Sequence, residues 1–258
     1  MPEIGFSKAL CNRCGKCAEV CPQDAIVLSE AGLPHIDRER CSACVECIAV
    51  CSPQALAVYG SYYSVNELFD EIQSDAIFYN SSGGGVTVSG GEPLLQADYV
   101  EALFMRCQEA NINTAIETCG YISSEILTRI LKRVDFVFFD LKVASEKKHI
   151  ELTGKSNKLI LQNAQIVYES GIQVQFRLPL IPGLNDDPGN IEETSEFLRS
   201  LGNARSIELM PYHRLGMGKY EALGREYPLK ELEMASTEAV KLVQQHFEEC
   251  GIRCLVSR

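Results

Sequence analysis

The stretch Val86–Leu95, "VTVSGGEPLL", reads as a β-branched strand that stops at Gly90 and Gly91 and turns through Glu92 and Pro93 into a helix. Outward from it the same alternation recurs. Short apolar runs predict strands near 86–89, 113–118, 135–142, 172–178, 205–210 and 252–256. Amphipathic stretches between them predict helices near 64–75, 96–110, 123–132, 157–169, 188–201 and 229–249. The last of these carries Leu232, Ala235, Ala239, Leu242, Val243 and His246 at helical spacing and stops at Gly251, a natural C′ glycine. Such alternation implies a parallel sheet or barrel with its function at the C-terminal ends of the strands.

Those ends are where the polar residues collect. Paired glycines let a ligand approach the backbone closely, and Glu92 beside Gly90 and Gly91 suits a cationic group such as an ammonium. A phosphate loop is the rival reading, but the chain has no G-x4-G-K-[ST], and Glu92 would repel a phosphate. The bland alternative is a tight strand-to-helix turn with nothing bound. In "VDFVFFDLK", Asp140 and Lys142 are two apart and share one side of a strand. "VQFRLPLIPG" adds Arg177 on the face of Gln173 and Gln175, and "IELMPYHRLG" adds Glu208 and, past its strand, His213. In "TAIETCGY", Glu117 and Cys119 share one face. A closed barrel fills its interior with branched apolar side chains; these charges predict an open, polar lumen instead. They suit a zwitterionic amino acid with a further positive charge, and a sulfonium meets that description.

The N-terminal part is of another kind. Twelve cysteines occur in 258 residues, and eight lie in two matched runs of C-x2-C-x2-C-x3-C. These are Cys11, Cys14, Cys17 and Cys21, then Cys41, Cys44, Cys47 and Cys51. In that spacing three thiols wrap one cubane and the fourth reaches the other. The expectation is two [4Fe–4S] clusters, one on Cys11, Cys14, Cys17 and Cys51, the other on Cys41, Cys44, Cys47 and Cys21. Pro22 follows Cys21 directly, whereas Ser52 intervenes before Pro53 in the second run. Zinc sites pair two C-x2-C units across a longer gap, and a disulfide cage does not suit a reducing compartment. The segment resembles a bacterial-type two-cluster ferredoxin. The boundary falls near Gly60, giving an α+β ferredoxin-like domain over 1–60 and an α/β domain over 61–258.

Composition narrows the setting. A net charge of −11 leaves no basic footprint for nucleic acid and would be repelled by an anionic membrane. "MPEIGFSKAL" lacks the basic and apolar regions of a secretory signal, and no apolar run is long enough to span a bilayer. The cysteine content then predicts a cytoplasmic protein. His35, His149 and His246 read as structural or solvated, Cys107 as a buried helix residue, and Cys250 and Cys254 as core or surface thiols flanking a turn.

Taken in order, the ferredoxin-type cysteines, "SGGEPLLQ", "ETCGY", "FFDLK", "FRLPLIPG" and "ELMPYHRLGMGKY" resemble the glycyl-radical-enzyme activating enzymes of the radical S-adenosylmethionine (SAM) superfamily. The closest subgroup carries a two-cluster insert, and the resemblance covers essentially the whole chain. It implies a partial (β/α)6 barrel in which Gly90, Gly91 and Glu92 take the SAM amino group, and Asp140, Lys142, Arg177 and His213 surround the rest of the ligand. It also implies a monovalent cation at Glu117, Thr118 and Asp140. In such enzymes a reduced cluster with one open iron chelates SAM and cleaves its sulfonium. The resulting 5′-deoxyadenosyl radical takes a hydrogen atom from a glycine of a large partner enzyme. Flavodoxin or ferredoxin is the implied electron donor, and the setting is anaerobic.

One motif of the family is absent from these residues. The C-x3-C-x2-C that holds the SAM-binding cluster fails at Asp24 after Cys17 and Cys21, and at Gln54 after Cys47 and Cys51. "VTVSGG" corresponds to the family's second strand. The expectation is a fragment that starts after the first barrel strand, poorly soluble alone, with the third, SAM-binding [4Fe–4S] cluster confined to a full-length form. The alternative is an electron-transfer iron–sulfur protein with a vestigial SAM-binding barrel.

Overall fold

The structure, a computed structural model, describes residues 2–202 and 206–257; Arg205, where the fifth strand was expected to begin, lies outside the described residues. The chain divides into two compact units, Met1–Tyr63 with His213–Leu232, and Ser64–Tyr212 with Glu233–Arg258. The 61–258 domain expected from the sequence includes His213–Leu232, which here groups with the cysteine-rich unit.

The first unit contains β1 (Glu3–Phe6), α1 (Lys16–Glu19), β2 (Ile26–Leu28), β3 (Pro34–Ile36), α2 (Glu46–Ala49) and β4 (Leu56–Tyr59). Strands β1 and β4 pair antiparallel, as do β2 and β3. The internal repeat of the sequence is also a repeat of backbone geometry. Gly15 and Val45 precede the two short helices at φ +78° and +63°, and Asp24 and Gln54 turn the chain at +46° and +54°. The tight loop around each cysteine run therefore demands left-handed residues, and at Val45 a β-branched one is held there. A small core of Ile4, Ile26, Ile36, Cys47 and Leu56 lies between the halves.

The second unit opens with α3 (Val65–Ser74), which starts at a capping box between Ser64 and Glu67. It continues through α4 (Ala76–Ser82), β5 (Gly85–Val88), a single 3-10 turn at Pro93–Gln96, α5 (Ala97–Glu109), β6 (Asn113–Thr118), α6 (Ser124–Leu131), β7 (Phe136–Asp140), α7 (Glu146–Thr153), α8 (Lys158–Glu169), β8 (Gln173–Leu180), α9 (Pro188–Ser200) and β9 (Ser206–Pro211). Helix α10 (Met217–Ala222) belongs to the first unit, and α11 (Thr237–Glu249) and β10 (Arg253–Val256) complete the second. The six strands β5 to β10 form one sheet in strict chain order, every neighbour parallel. This is the α/β fold the alternation implied, with helices between successive strands returning the chain.

The helix expected over 229–249 begins only at Thr237. Ser236 caps it by accepting from the Ala239 amide. Upstream, the Leu232 carbonyl is taken by the Arg214 guanidinium at 2.6 and 3.1 Å instead of by a helical amide. Helices α4, α7 and α10 have no counterpart in the sequence reading. Each is a short segment (α7 reads "EKKHIELT") without a long apolar stripe.

Period-two alternation decides what the sheet does. Ile116, Val137, Phe139, Phe176, Leu178, Ile207 and Leu209 point to the helices and are buried with Leu127, Ile130, Val167, Leu198 and Phe247. Phe139 and Phe176 meet edge-on at 5.9 Å between ring centres. Each large side chain buried here contributes about 2–3 kcal/mol. The alternate residues form the opposite face. Gly120, just past β6, sits at φ +70°, and a Cβ there would lie 2.3 Å from the Phe139 ring, so no other residue fits without displacing that core aromatic.

Candidate functional site

In the first unit the two repeats put four thiols around each of two cavities. One cavity is lined by Cys21, Cys41, Cys44 and Cys47 with Ile4, Ile26 and Ile36; the other by Cys11, Cys14, Cys17 and Cys51 with Leu28, Pro34 and Leu56. The fourth cysteine of each run thus crosses to the other cavity. The donor set also discriminates between occupants. One tetrahedral zinc needs its sulfurs about 3.8 Å apart, yet among the described residues no three of these thiols have their sulfurs all within 4.8 Å of one another. Four thiols around one cavity are the donor set that a multi-iron core takes. The amides of Ala25 and Ala55 donate to Cys21 Sγ and Cys51 Sγ at 3.3 Å, and Arg13 N donates to Cys11 Sγ at 3.4 Å. Burial, and then the thiolates of Cys41 and Cys44, push the Cys47 thiol up to about 11. Four thiolates in one apolar cavity repel each other, so the arrangement fits a cationic iron–sulfur core that draws off the protons.

The second unit gathers its charges on the sheet face away from the helices. Arg177 on β8 lies in register with Asp140 on β7 and Glu208 on β9. Its Nε donates to Glu208 Oε2 at 2.9 Å and its Nη1 to Glu117 Oε1 at 2.6 Å. The guanidinium carbon is 3.6 Å from the centre of the Phe138 ring, which floors the span between Glu117 and Glu208. Glu117, Asp140, Gln175, Arg177 and Glu208 occupy half-buried positions on this face, and Lys142, just past β7, is exposed.

At the end of β5, Gly90 adopts φ +141°, and a Cβ on Gly90 or Gly91 would meet nothing within 4 Å. Bare backbone therefore borders open space. Glu92 is tied inward. Its carboxylate accepts from Thr118 Oγ1 at 2.8 and 2.9 Å, from the Cys119 amide at 3.0 Å and from the Leu94 amide at 3.2 Å. The Cys119 thiol lies 3.2 Å from the same carboxylate. Glu92 thus fastens the glycine turn to the end of β6. The sequence reading put Glu92 toward the ligand and gave no sign of this link. His213 opens the segment that groups with the cysteine unit, is exposed, and accepts at Nδ1 from the Leu215 amide at 3.4 Å.

Four buried asparagines that the sequence reading passed over hold the loops beyond these strand ends. Asn163 donates to the carbonyls of Gly120 and Ile122, and Asn157 to those of Val143 and Ala144. Asn185 donates to the carbonyls of Lys142 and Pro179, and Asn190 accepts from the Ala144 amide. Each satisfies loop backbone that helix and sheet leave unpaired. Asparagine is common in loops, and only the fold shows these to be buried.

Burial raises the Asp140 carboxyl above its ordinary 3.8, with Lys142 and Arg177 opposing and Glu117 and Glu92 adding to the rise. The folded chain therefore holds this proton more tightly than the unfolded one. The associated stability is complete below pH 3.8 and is lost as pH rises through the folded-state value. At neutral pH the ionised carboxylate is a cost to the fold. Asp140→Asn is expected to raise the unfolding midpoint at neutral pH, with the gain closing as acid protonates the wild type; equal midpoints at neutral pH would refute the assignment.

A thiol-caged unit and a sheet with a zwitterion-like charged face, on one chain, define an iron–sulfur enzyme that handles a charged small molecule. Residues 43–198 match the radical SAM superfamily, and residues 10–55 match the 4Fe-4S dicluster domain. The trans-4-hydroxy-L-proline dehydratase activating enzyme of Clostridioides difficile is 39% identical over 249 residues, 95% of this chain and 82% of that one. The choline trimethylamine-lyase activating enzyme of Oleidesulfovibrio alaskensis is also 39% identical, over 233 residues, 88% of this chain and 75% of that one. A solved domain of pyruvate-formate lyase-activating enzyme from Bacteroides vulgatus superposes with a TM-score of 0.57 at 28% identity, over 68% of this chain and 99% of that domain. The chain belongs to the glycyl-radical-enzyme activating enzymes of the radical SAM superfamily. Among the described residues no helix is long and apolar enough to cross a membrane.

Proposed function

We propose that the charged sheet face binds SAM, that the two thiol cages each hold a [4Fe–4S] cluster that relays electrons toward it, and that the product is a glycyl radical on a partner enzyme. The observation that carries this reading is the open, side-chain-free backbone at Gly90 and Gly91 beside a face bearing both Asp140 and Lys142. The turn offers backbone groups to an ammonium. Asp140 adds negative charge for it, Lys142 pairs with a carboxylate, and Arg177, fixed by two carboxylates, keeps the floor rigid. Glu92 contributes by locking the turn to Thr118 and Cys119. When bound to a reduced iron–sulfur cluster, SAM supplies the radical chemistry, and the protein's share is orientation and exclusion of water. Flavodoxin or ferredoxin is the proposed donor, a monovalent cation beside Glu117, Thr118 and Asp140 completes the carboxylate site, and the cysteine content supports an anaerobic cytoplasmic setting.

Gly91 provides the test. It needs no left-handed backbone, and a Cβ there meets no protein atom within 4 Å. Gly91→Val should leave the unfolding midpoint unchanged and weaken SAM at least about tenfold, roughly 1.4 kcal/mol, in anaerobic equilibrium dialysis of the iron-reconstituted chain. Equal SAM binding by the variant, or no saturable binding by the wild type, overturns the reading and favours an electron carrier.

A further inference from the structure

Helices α9 and α11 bring together three metal-ligating side chains that the SAM site does not use. Cys250 Sγ lies 3.1 Å from Glu192 Oε2, and His246 Nε2 lies 3.5 Å from the same oxygen. All three donor atoms fall within 4.8 Å of one another, each half-buried, and among the described residues this is the one such group of three. His246 and Cys250 are four apart, so the last turn of α11 presents both on one side. Glu192 comes from the facing helix α9.

Two further features mark the cluster as more than a chance contact. Arg199 donates to Glu192 Oε1 at 3.0 Å and to the Cys250 carbonyl at 3.1 Å. It thereby fixes the carboxylate through one oxygen and leaves Oε2 turned toward the thiol and the imidazole, as an outer partner of a metal ligand does. Ser195, one turn along α9 from Glu192, is wholly buried, and its hydroxyl has no oxygen or nitrogen acceptor among the described residues. It lies beside the Cys250 thiol. A thiol is a poor acceptor, whereas a metal-bound thiolate is a good one, so a bound cation would turn the weak contact between Ser195 and the Cys250 thiol into a full hydrogen bond.

We infer that Glu192, His246 and Cys250 form a binding site for a thiophilic divalent cation of the zinc type, tying the C-terminal helix α11 to α9. One sulfur, one nitrogen and one oxygen are the donors that class of ion takes, and calcium or magnesium would not accept the thiolate and imidazole. Bond lengths of about 2.3 Å to sulfur and about 2.0–2.1 Å to nitrogen and oxygen put the donors of a tetrahedral zinc about 3.3–3.6 Å apart. The observed 3.1 and 3.5 Å separations match with only small side-chain shifts. The fourth position is left to water. Binding displaces the thiol proton to solvent and involves no redox change.

The experiment uses the chain already loaded with iron and sulfide, so that the cluster cysteines are occupied. Zinc is added against a chromophoric zinc chelator, zinc and iron per chain are counted, and zinc-edge absorption gives the ligand shell. Expected are about one zinc per chain with iron unchanged, a shell of one sulfur with the remainder nitrogen and oxygen, and loss of that zinc in Cys250→Ser and His246→Gln. The zinc-loaded wild type should also unfold at higher temperature than the zinc-free one, a shift His246→Gln abolishes. Equal zinc in wild type and variants, zinc taken up as iron is lost, or a shell of three or four sulfurs overturns the site. Should a variant fail to fold, the wild-type shell decides alone, since one sulfur supports the site and none or several refutes it.

Discussion

Cys21→Ser is expected to empty the cage it shares with Cys41, Cys44 and Cys47 and to leave the other cage filled, so that bound iron falls from about eight to about four per chain. The crossing of Cys21 and Cys51 between the cavities makes the pairing of substitutions informative. Cys21→Ser with Cys41→Ser strikes the same cage twice and should still retain about four irons. Cys21→Ser with Cys11→Ser strikes both cages and should retain almost none. If each run instead supplied its own cluster, the second pair would spare one cluster and the first would lose both. Iron and sulfide analysis, with low-temperature paramagnetic resonance of the reduced protein, separates the two. Because the small core walls both cavities, one through Ile4, Ile26 and Ile36 and the other through Leu56, losing a cluster should also loosen that unit. The domain is too small for its core to hold it alone.

Arg177→Met is expected to lower the stability of the sheet unit by about 2–3 kcal/mol, between the values for exposed and fully buried ion pairs. The arginine side chain is 14% exposed, Glu208 21% and Glu117 38%, so removing the guanidinium leaves two half-buried carboxylates facing one another across Phe138. A cost of this size corresponds to a fall of roughly 4–12 °C in the unfolding midpoint. The cause can be isolated. Adding Glu117→Gln and Glu208→Gln to Arg177→Met removes the stranded charges and should recover most of the loss, although SAM binding stays impaired because the charged floor is gone. A triple variant no more stable than Arg177→Met would show that stacking and shape, rather than charge pairing, account for the effect.

The strands were legible because each is half-buried and alternates. In β7, Val137 and Phe139 turn to the core while Phe136, Phe138 and Asp140 turn away, a pattern that five residues suffice to display. Helix starts with a side-chain cap, such as Ser64, Ser123 and Asp187, fell where the sequence suggested. Helix α7 escaped notice because its mixed charges hide the apolar side, and the buried His149 within it is held by Thr153 and the Lys155 carbonyl, contacts defined only once the turn exists. Residues 229–236 looked helical because apolar spacing says nothing about an arginine that captures a carbonyl.

The sequence by itself determined the cysteine cages and the placing of charges at strand ends, because both depend on spacing along the chain: two or three residues between thiols, two residues per repeat along a strand. Tertiary structure alone decided which charges meet. Arg177 reaches Glu117 and Glu208 only because β6, β7, β8 and β9 pair in one register, and a slip of one residue would send these side chains to the helix side. The same holds for Glu92, which the fold ties to Thr118 and Cys119, and for Glu192, which meets His246 and Cys250 only when α9 packs on α11. Those contacts join residues distant in the chain, and no local periodicity encodes them.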